Sequence, residues 1–365
     1  MPTVSTYSLR SGRAAALAAT LAAGSIVARG FAAPENKPPA STVDNLRFGS
    51  VSLYTENDKY FAGTDQHYTN GFKLSFLSTD LAGFTSDPVP KPVQTVARLL
   101  GSLVPPGRAY KLGLSLGQNI YTPEDIETTT YLPHDRPYAA WLYVGAAFQV
   151  YEPPRADAPA ARAFARLDTF EVTLGVVGPW ALGRQVQNGF HDLIGVDHAE
   201  GWDNQLHNEP GLNLVYERKY RIATPGARTG WGADFIPHIG VSLGNVFTYA
   251  NAGFEVRAGH RLPSDFGTNL IRPSGDSNSG RSGLSVFLFG AVDGRAVARD
   301  LTLDGNSFRD SPSVDKKYFV ADLLAGVAVG TPHWQLTYAQ AVRTEEFDGQ
   351  PDDSVFGSIS VTFYY

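Results

Sequence analysis

The chain has 365 residues, 43% hydrophobic and 18% charged, with a formal charge of −6. Having no Cys, it can build no disulfide framework, no thiolate metal site and no Cys nucleophile, so catalysis must draw on His, Ser, Thr or carboxylates. The acidic balance argues against nucleic acid as a partner, and 37 Gly, 17 Tyr and 21 Phe against one Met favour strands and turns over a helical bundle.

Residues 1–33 open with Arg10 and Arg13, continue through the apolar stretch Ala14 to Val27, and close on small residues around Gly30, Ala32 and Ala33. That order reads as a signal peptide cleaved near Ala32 or Ala33. As a membrane anchor the stretch would be short of the roughly twenty residues a spanning helix needs. The first 32 residues hold Arg10, Arg13 and Arg29 and no acid, so the remainder carries about −9 by the same count. Residues 34–45 are polar and Pro-rich and read as a tether; residues 46–365 read as one barrel domain. No later stretch reaches about eighteen apolar residues, so the exported chain offers no membrane-spanning helix, and only a barrel could cross a bilayer.

From residue 48 onward, stretches that alternate apolar with small or polar residues recur. They run Phe48 to Thr55, Phe72 to Ser78, Tyr110 to Gln118, Ala139 to Tyr151, Thr169 to Val177 and Gly211 to Tyr220. The later ones are Phe235 to Val246, Gly253 to His260, Leu284 to Val297, Tyr318 to Val329, Trp334 to Val342 and Val355 to Tyr365. The expected fold class is therefore all-β, a transmembrane antiparallel β-barrel of about 12 strands. Leu112, Leu114 and Leu116 fall on one face, toward lipid, with Gly113, Ser115 and Gly117 toward the lumen. Val286, Leu288, Gly290 and Val292 alternate with Phe287, Phe289 and Ala291, a less clean separation. A soluble periplasmic β-sandwich would share the alternation and the signal peptide. Stretches longer than the usual five or six residues favour the barrel. So does the aromatic end Phe363, Tyr364, Tyr365, which suits delivery by the outer-membrane assembly machinery of a Gram-negative cell.

Three insertions interrupt the rhythm. Asp80 to Arg108 includes Val93 to Val104, an amphipathic helix for the membrane surface, a cap on the barrel, or a plain surface helix. Leu262 to Ser282 and Thr302 to Lys317 read as mobile extracellular or turn loops.

Two clusters carry possible chemistry. Gly178 to Trp202 breaks strand periodicity, and Trp180 to Leu193 has helical spacing, which puts Gln187 and His191 four residues apart on one face. Barrels turn in a few residues, so such a helix is either a packed cap closed by His191 or a platform for an imidazole base. The other cluster is Glu56-Asn57-Asp58 with Asp65 and Tyr68-Thr69-Asn70-Gly71. Asx residues at strand ends make hairpin turns; gathered oxygen donors also suit a hard cation such as Ca²⁺. An imidazole base plus an oxygen-rich metal site are the parts of a water-activating esterase.

Five blocks together resemble the lipid A 3′-O-deacylase (LpxR) family: Glu56-Asn57-Asp58 through Phe61, Thr64-Asp65 and Tyr68 to Gly71; GQNIYTP at Gly117 to Pro123; DRPYAAWLY at Asp135 to Tyr143; Gly178 to His191; and GWDNQLHNEP at Gly201 to Pro210. The resemblance implies a twelve-stranded outer-membrane barrel whose Ca²⁺-dependent site removes the 3′-linked acyloxyacyl group from lipid A of lipopolysaccharide in the outer leaflet. It implies His191 as the base, Gln187 as its partner one helical turn earlier, Thr69 as a site hydroxyl, and Asn57 and Asp58 as metal-site residues. The acidic position six residues after the His falls on Asp197, one methylene shorter than the family's Glu. A carboxylate such as Asp197 would orient the imidazole. One departure concerns substrate: the family has basic residues after the YTP-like turn, and here Glu124, Asp125, Ile126, Glu127 and Thr128 follow. Arg136 could anchor a lipid phosphate or brace the barrel with Asp135, and the bracing role is the expectation. The protein is expected to work as a monomer. The rival readings are an outer-membrane phospholipase with a Ser nucleophile, for which no GxSxG elbow is present, and a porin-like or non-catalytic barrel.

Overall fold

Every second side chain of a strand meets the same face, so alternation of aliphatic with small or polar residues separates an outer from an inner surface. The structure, a computed structural model, describes residues 47–58, 60, 67–81, 91, 94, 109–153, 164–268, 270, 271 and 283–365, with only the main chain for 67–69 and 194. The expected signal peptide, the tether, the Val93 to Val104 helix as a whole, and the Thr64 and Asp65 positions lie outside the described residues. Twelve antiparallel strands form a closed barrel: β1 (Phe48–Asn57), β2 (His67–Ser78), β3 (Ala109–Thr122), β4 (Ala139–Glu152), β5 (Ala165–Val177), β6 (Glu209–Ala223), β7 (Trp231–Gly244), β8 (Phe247–His260), β9 (Ser285–Asp300), β10 (Phe319–Gly330), β11 (Trp334–Arg343) and β12 (Ser354–Tyr364). Each pairs with its neighbours in sequence, and β1 closes on β12 from Ser50 opposite Tyr364 to Asn57 opposite Gly357. Closure leaves no sheet edge with unpaired main-chain groups, the condition for a sheet in hydrocarbon. Among the described residues, no helix is long and apolar enough to cross a membrane. We call the end holding Phe48 and Tyr364 the near end and the other the far end.

Each expected stretch falls on one strand. The largest shift is at β8, which begins at Phe247 rather than Gly253, because the chain turns sharply at residues 245 and 246. Asn245 builds that turn: its Oδ1 accepts the Leu212 amide at 2.8 Å, and its Nδ2 donates to Glu209 and to the Pro210 carbonyl. Outward positions such as Leu116, Val144, Leu174, Leu212, Leu243, Leu288 and Leu323 are exposed and form the aliphatic band of the wall. Leu112 departs from the expected lipid-facing row. It is buried with Leu81, Tyr110, Phe148 and Val150 in a cluster toward the near end.

The lumen is packed. Near-end positions Phe287 and Phe289 join Ala227, Leu262, Ala328 and Ala339 in an apolar cluster, which is why β9 alternates poorly: its inward side chains are core, not channel lining. Further along, Arg257 is fully buried; its guanidinium donates to Asp234 at 2.7 and 2.8 Å and also pairs with Asp265. Asp322 receives Arg295 and Arg343, and His238 meets Asp293 at 2.8 Å. Charges removed from water need partners on this scale to be tolerated.

The segment after β8 corrects the expectation of a mobile loop. Instead of leaving the near end, it climbs inside the barrel. Asp265 sits at Arg257, Thr268 donates to Glu255 at 2.6 Å, Leu270 joins the far-half apolar core with Tyr121, Trp141 and Tyr143, and the Ile271 amide donates to Glu56 at 2.6 Å. A cavity of about 80 Å³ remains between residues that include Glu56, Tyr121, Leu270 and Arg295. The far mouth is closed as well. The 302–317 stretch begins in the single-turn helix Leu301–Asp304, buried on three residues, and is tied back by Val314 to Leu303 and by Lys316 to Asp304. Burial alone would raise the Glu346 carboxyl, but the guanidiniums of Arg343 and Arg136 outweigh it and hold it down at about 2. A water-filled channel is thus absent among the described residues. Purified protein in a planar bilayer is expected to give no porin-like conductance steps, and stable open steps would contradict this packing.

Candidate active site on the outer wall

The chain between β5 and β6 is shaped by its Gly and Pro. Gly178 adopts φ 94°, Pro179 starts a single 3-10 turn, Pro179–Ala181, and Leu182 follows in the left-handed region at φ 60°. A left-handed non-Gly residue costs energy and marks a position held by its surroundings. It breaks the expected helix from Trp180, so the true helix, α1, is Gly183–Ile194. Gly195 at φ 72° ends it, returning its amide to the His191 carbonyl at 2.8 Å.

α1 does not cover the lumen. Gln118, in the same row of β3 as the exposed Leu114 and Leu116, donates to the Ala181 carbonyl at 2.6 Å. Ile120, Ala140, Leu142 and Val176, all outward, pack with Ala181, Ala199, Trp202 and Tyr138. The helix therefore leans on the outside of the wall at the far end. Gly183 makes this fit possible, since a Cβ there would lie 2.4 Å from Trp202 and 2.7 Å from Ala140. Its other face carries Val186 and Leu193, which with Trp180 and Leu182, just before the helix, are exposed beside the aliphatic band.

Gln187 and His191 both face inward on α1, 1% and 3% exposed. His191 Nδ1 lies 2.5 Å from the main-chain carbonyl of Asp197. A carbonyl only accepts, so Nδ1 carries the hydrogen, and in the neutral ring the lone pair is on Nε2. The contribution from residue 197 thus comes through its main chain; its carboxylate is exposed, on the segment that Asn188 ties to α1 through Ala199. Gln187 Oε1 accepts the Trp202 indole N–H at 2.8 Å.

Asn57 ends β1, and Asp58 follows it; both are buried, at 4% and 1%. Register carries Asn57 to Asn70, Asn70 to Ile120, and Ile120 to Ala140. Paired residues share a face, so Asn57 lies on the same outer wall that α1 leans against. Thr69 occupies the irregularity between Tyr68 and Asn70, where the register shifts, and its side chain lies outside the described residues. Asn57 and Asp58 offer an amide oxygen and a carboxylate, hard donors of the type Ca²⁺ takes. Among the described residues no three His, Asp or Glu side chains gather as a metal cluster.

Arg136 is not placed to meet a phosphate. It is 1% exposed and donates to Glu346 at 3.0 Å and Thr302 at 3.3 Å, with its guanidinium over the Tyr121 ring. It braces the far mouth, but with Glu346 rather than Asp135, whose carboxylate instead accepts the amides of Glu124 and Arg136. Three contributors carried no role in the sequence reading: Gln118, Tyr138 and Trp202. Each lies in one of the blocks of resemblance, which was the available signal.

A family model described as outer membrane protein LpxR matches residues 16–365. LpxR from Salmonella typhimurium has a solved structure that superimposes with a TM-score of 0.67 at 21% identity, covering 87% of this chain and 100% of that one. The β domain of the Bordetella autotransporter BrkA gives 0.40 at 8% identity over 87% of this chain and 99% of its own. The translocator domain of NalP from Neisseria meningitidis gives 0.33 at 9% identity over 97% and 96%. At those scores neither autotransporter domain bears on the site. No curated protein matches the sequence.

Proposed function

Because this chain belongs to the LpxR family of outer-membrane proteins, a family of lipid A-modifying enzymes, we propose that it is a carboxylic-ester hydrolase that removes the 3′-linked acyloxyacyl group from lipid A. The observation that carries this is the placement of His191: a buried imidazole with a fixed tautomer, on a helix that leans on the outside of a barrel wall and exposes Val186 and Leu193 beside Gln185 and Asp192. A base serving a soluble substrate would open to water or to the lumen. This one lies between the helix and the outer wall, and Trp180, Leu182, Val186 and Leu193 are exposed beside the aliphatic band.

In the reaction, His191 Nε2 takes a proton from water as the water oxygen bonds to the ester carbonyl carbon. The tetrahedral species collapses by breaking the bond to the sugar oxygen, and the imidazolium returns the proton to that oxygen, leaving a free hydroxyl and the acyloxyacyl acid. The Asp197 carbonyl holds the ring in the required tautomer throughout and stabilises the charged form. Ca²⁺ bound at Asn57 and Asp58 would supply positive charge to polarise the ester carbonyl. Thr69 is proposed as a site hydroxyl, and no acyl-enzyme is needed. We assign recognition mainly to the acyl chains, because Glu124, Asp125 and Glu127 stand where family members carry a basic loop and Arg136 is committed to Glu346.

Mass spectrometry of lipid A tests the reading, using cells that lack a native deacylase, with and without this gene, in Ca²⁺ or EDTA. Loss of one acyloxyacyl mass, abolished by EDTA, is expected. Unchanged lipid A beside folded protein would reject it. Gly183→Ala is expected to push α1 off the wall through the Trp202 clash, lowering the rate more than about tenfold while the barrel stays heat-modifiable on gels.

A further inference from the structure

Trp202 sits in the GWDNQ block, whose role neither spacing nor chemistry had explained. Its indole N–H donates to Gln187 Oε1 at 2.8 Å, and the residue is 0% exposed. An indole has one polar hydrogen and no acceptor, so only the oxygen end of an amide can face it. The usual ambiguity between the oxygen and nitrogen of a glutamine is therefore settled by the partner. Trp202 has little room to move: its ring lies 5.0 Å from that of Tyr138, and Gly183 and Gly201 pack closely against the pair.

With Oε1 held, Gln187 Nε2 points the other way, and it is buried with no hydrogen-bond partner. A buried amide donor left unpaired is costly, and such exceptions call for a reason. Gln187 and His191 stand one helical turn apart on one buried face. That face thus presents a donor beside a base.

We propose that Trp202 is a positioning residue whose indole turns the Gln187 amide so that its N–H meets the ester oxygen on which charge grows as His191-activated water attacks. This rests on the deacylase reading above. A donor aimed in advance at a developing oxyanion lowers the barrel's reaction barrier without lowering it for substrate binding, so its loss appears in kcat rather than KM. Without Trp202, the Gln187 amide is free to flip and offer oxygen to oxygen.

The test is a double-mutant cycle on the full-length protein in detergent with lipid A and Ca²⁺. Trp202→Phe keeps a ring and removes the N–H; kcat is expected to fall about 10- to 100-fold with KM within about twofold, on a heat-modifiable barrel. Gln187→Leu should lose at least as much, and the double variant no more than Gln187→Leu alone. Full kcat in Trp202→Phe, or losses that multiply, would overturn the proposal. Gln187→Glu guards against misfolding of the Trp variant, because a carboxylate still accepts from the indole but donates nothing: it should be as slow as Gln187→Leu, and a full rate would again overturn the proposal. An inactive wild type sinks the deacylase reading and this inference together, whereas an active wild type with independent losses sinks this inference alone.

Discussion

His191→Ala is expected to lower deacylation by about 10³-fold or more while the protein still inserts and migrates as a folded barrel. The two parts of that expectation have separate causes. In the proposed mechanism the rate depends on His191 Nε2 as proton acceptor, which no Ala can replace. The fold depends on a ladder that closes through β12 and on a packed lumen, whereas α1 stands on the outside of the wall. Lipid A mass spectra and gel mobility of heated and unheated samples read the two parts independently. A variant that deacylates at the wild-type rate would remove His191 from the mechanism.

Arg257→Ala carries the largest expected cost to stability. Arg257 is enclosed in the lumen, where it neutralises Asp234 and Asp265 and also reaches the Pro263 carbonyl. Truncation would take the guanidinium away from two buried carboxylates, with Arg221 still paired to Asp234. Breaking a buried pair in this way costs about 3–5 kcal/mol, and it also frees the segment that climbs the lumen. Urea titration of the barrel should show a lower midpoint. Removing the stranded charges as well, with Asp234→Asn and Asp265→Asn, is expected to recover much of the loss. Unaltered stability in Arg257→Ala would mean that the lumen network contributes little.

Strand number and placement were legible because aliphatic residues on the outer wall must alternate with whatever faces inward, as at Leu114 and Leu116. The contents of the lumen were not legible. Phe287 and Phe289 read as a fault in the pattern, and their partner Leu262 lies beyond a turn that looks like a polar loop. Only tertiary contacts, such as Thr268 to Glu255 and Ile271 to Glu56, show the segment to be inside. In the site, helical spacing placed Gln187 and His191 together, but it could not say which atom of residue 197 would reach the ring. Side-chain chemistry pointed to a carboxylate where geometry supplies a carbonyl. Arg136 was legible as a brace, but its partner Glu346 lies 210 residues away and no local pattern names it.

The position of α1 on the outside of the wall has a kinetic meaning. On the proposed deacylase reading, a substrate that reaches His191 arrives sideways, by sliding within one leaflet, and its acid product leaves along the same plane. Turnover then follows the mole fraction of lipid A among its neighbours rather than its concentration in the medium. Adding inert amphiphile to a fixed amount of substrate therefore slows the enzyme, and in the cell the crowding and order of the surrounding leaflet set its pace.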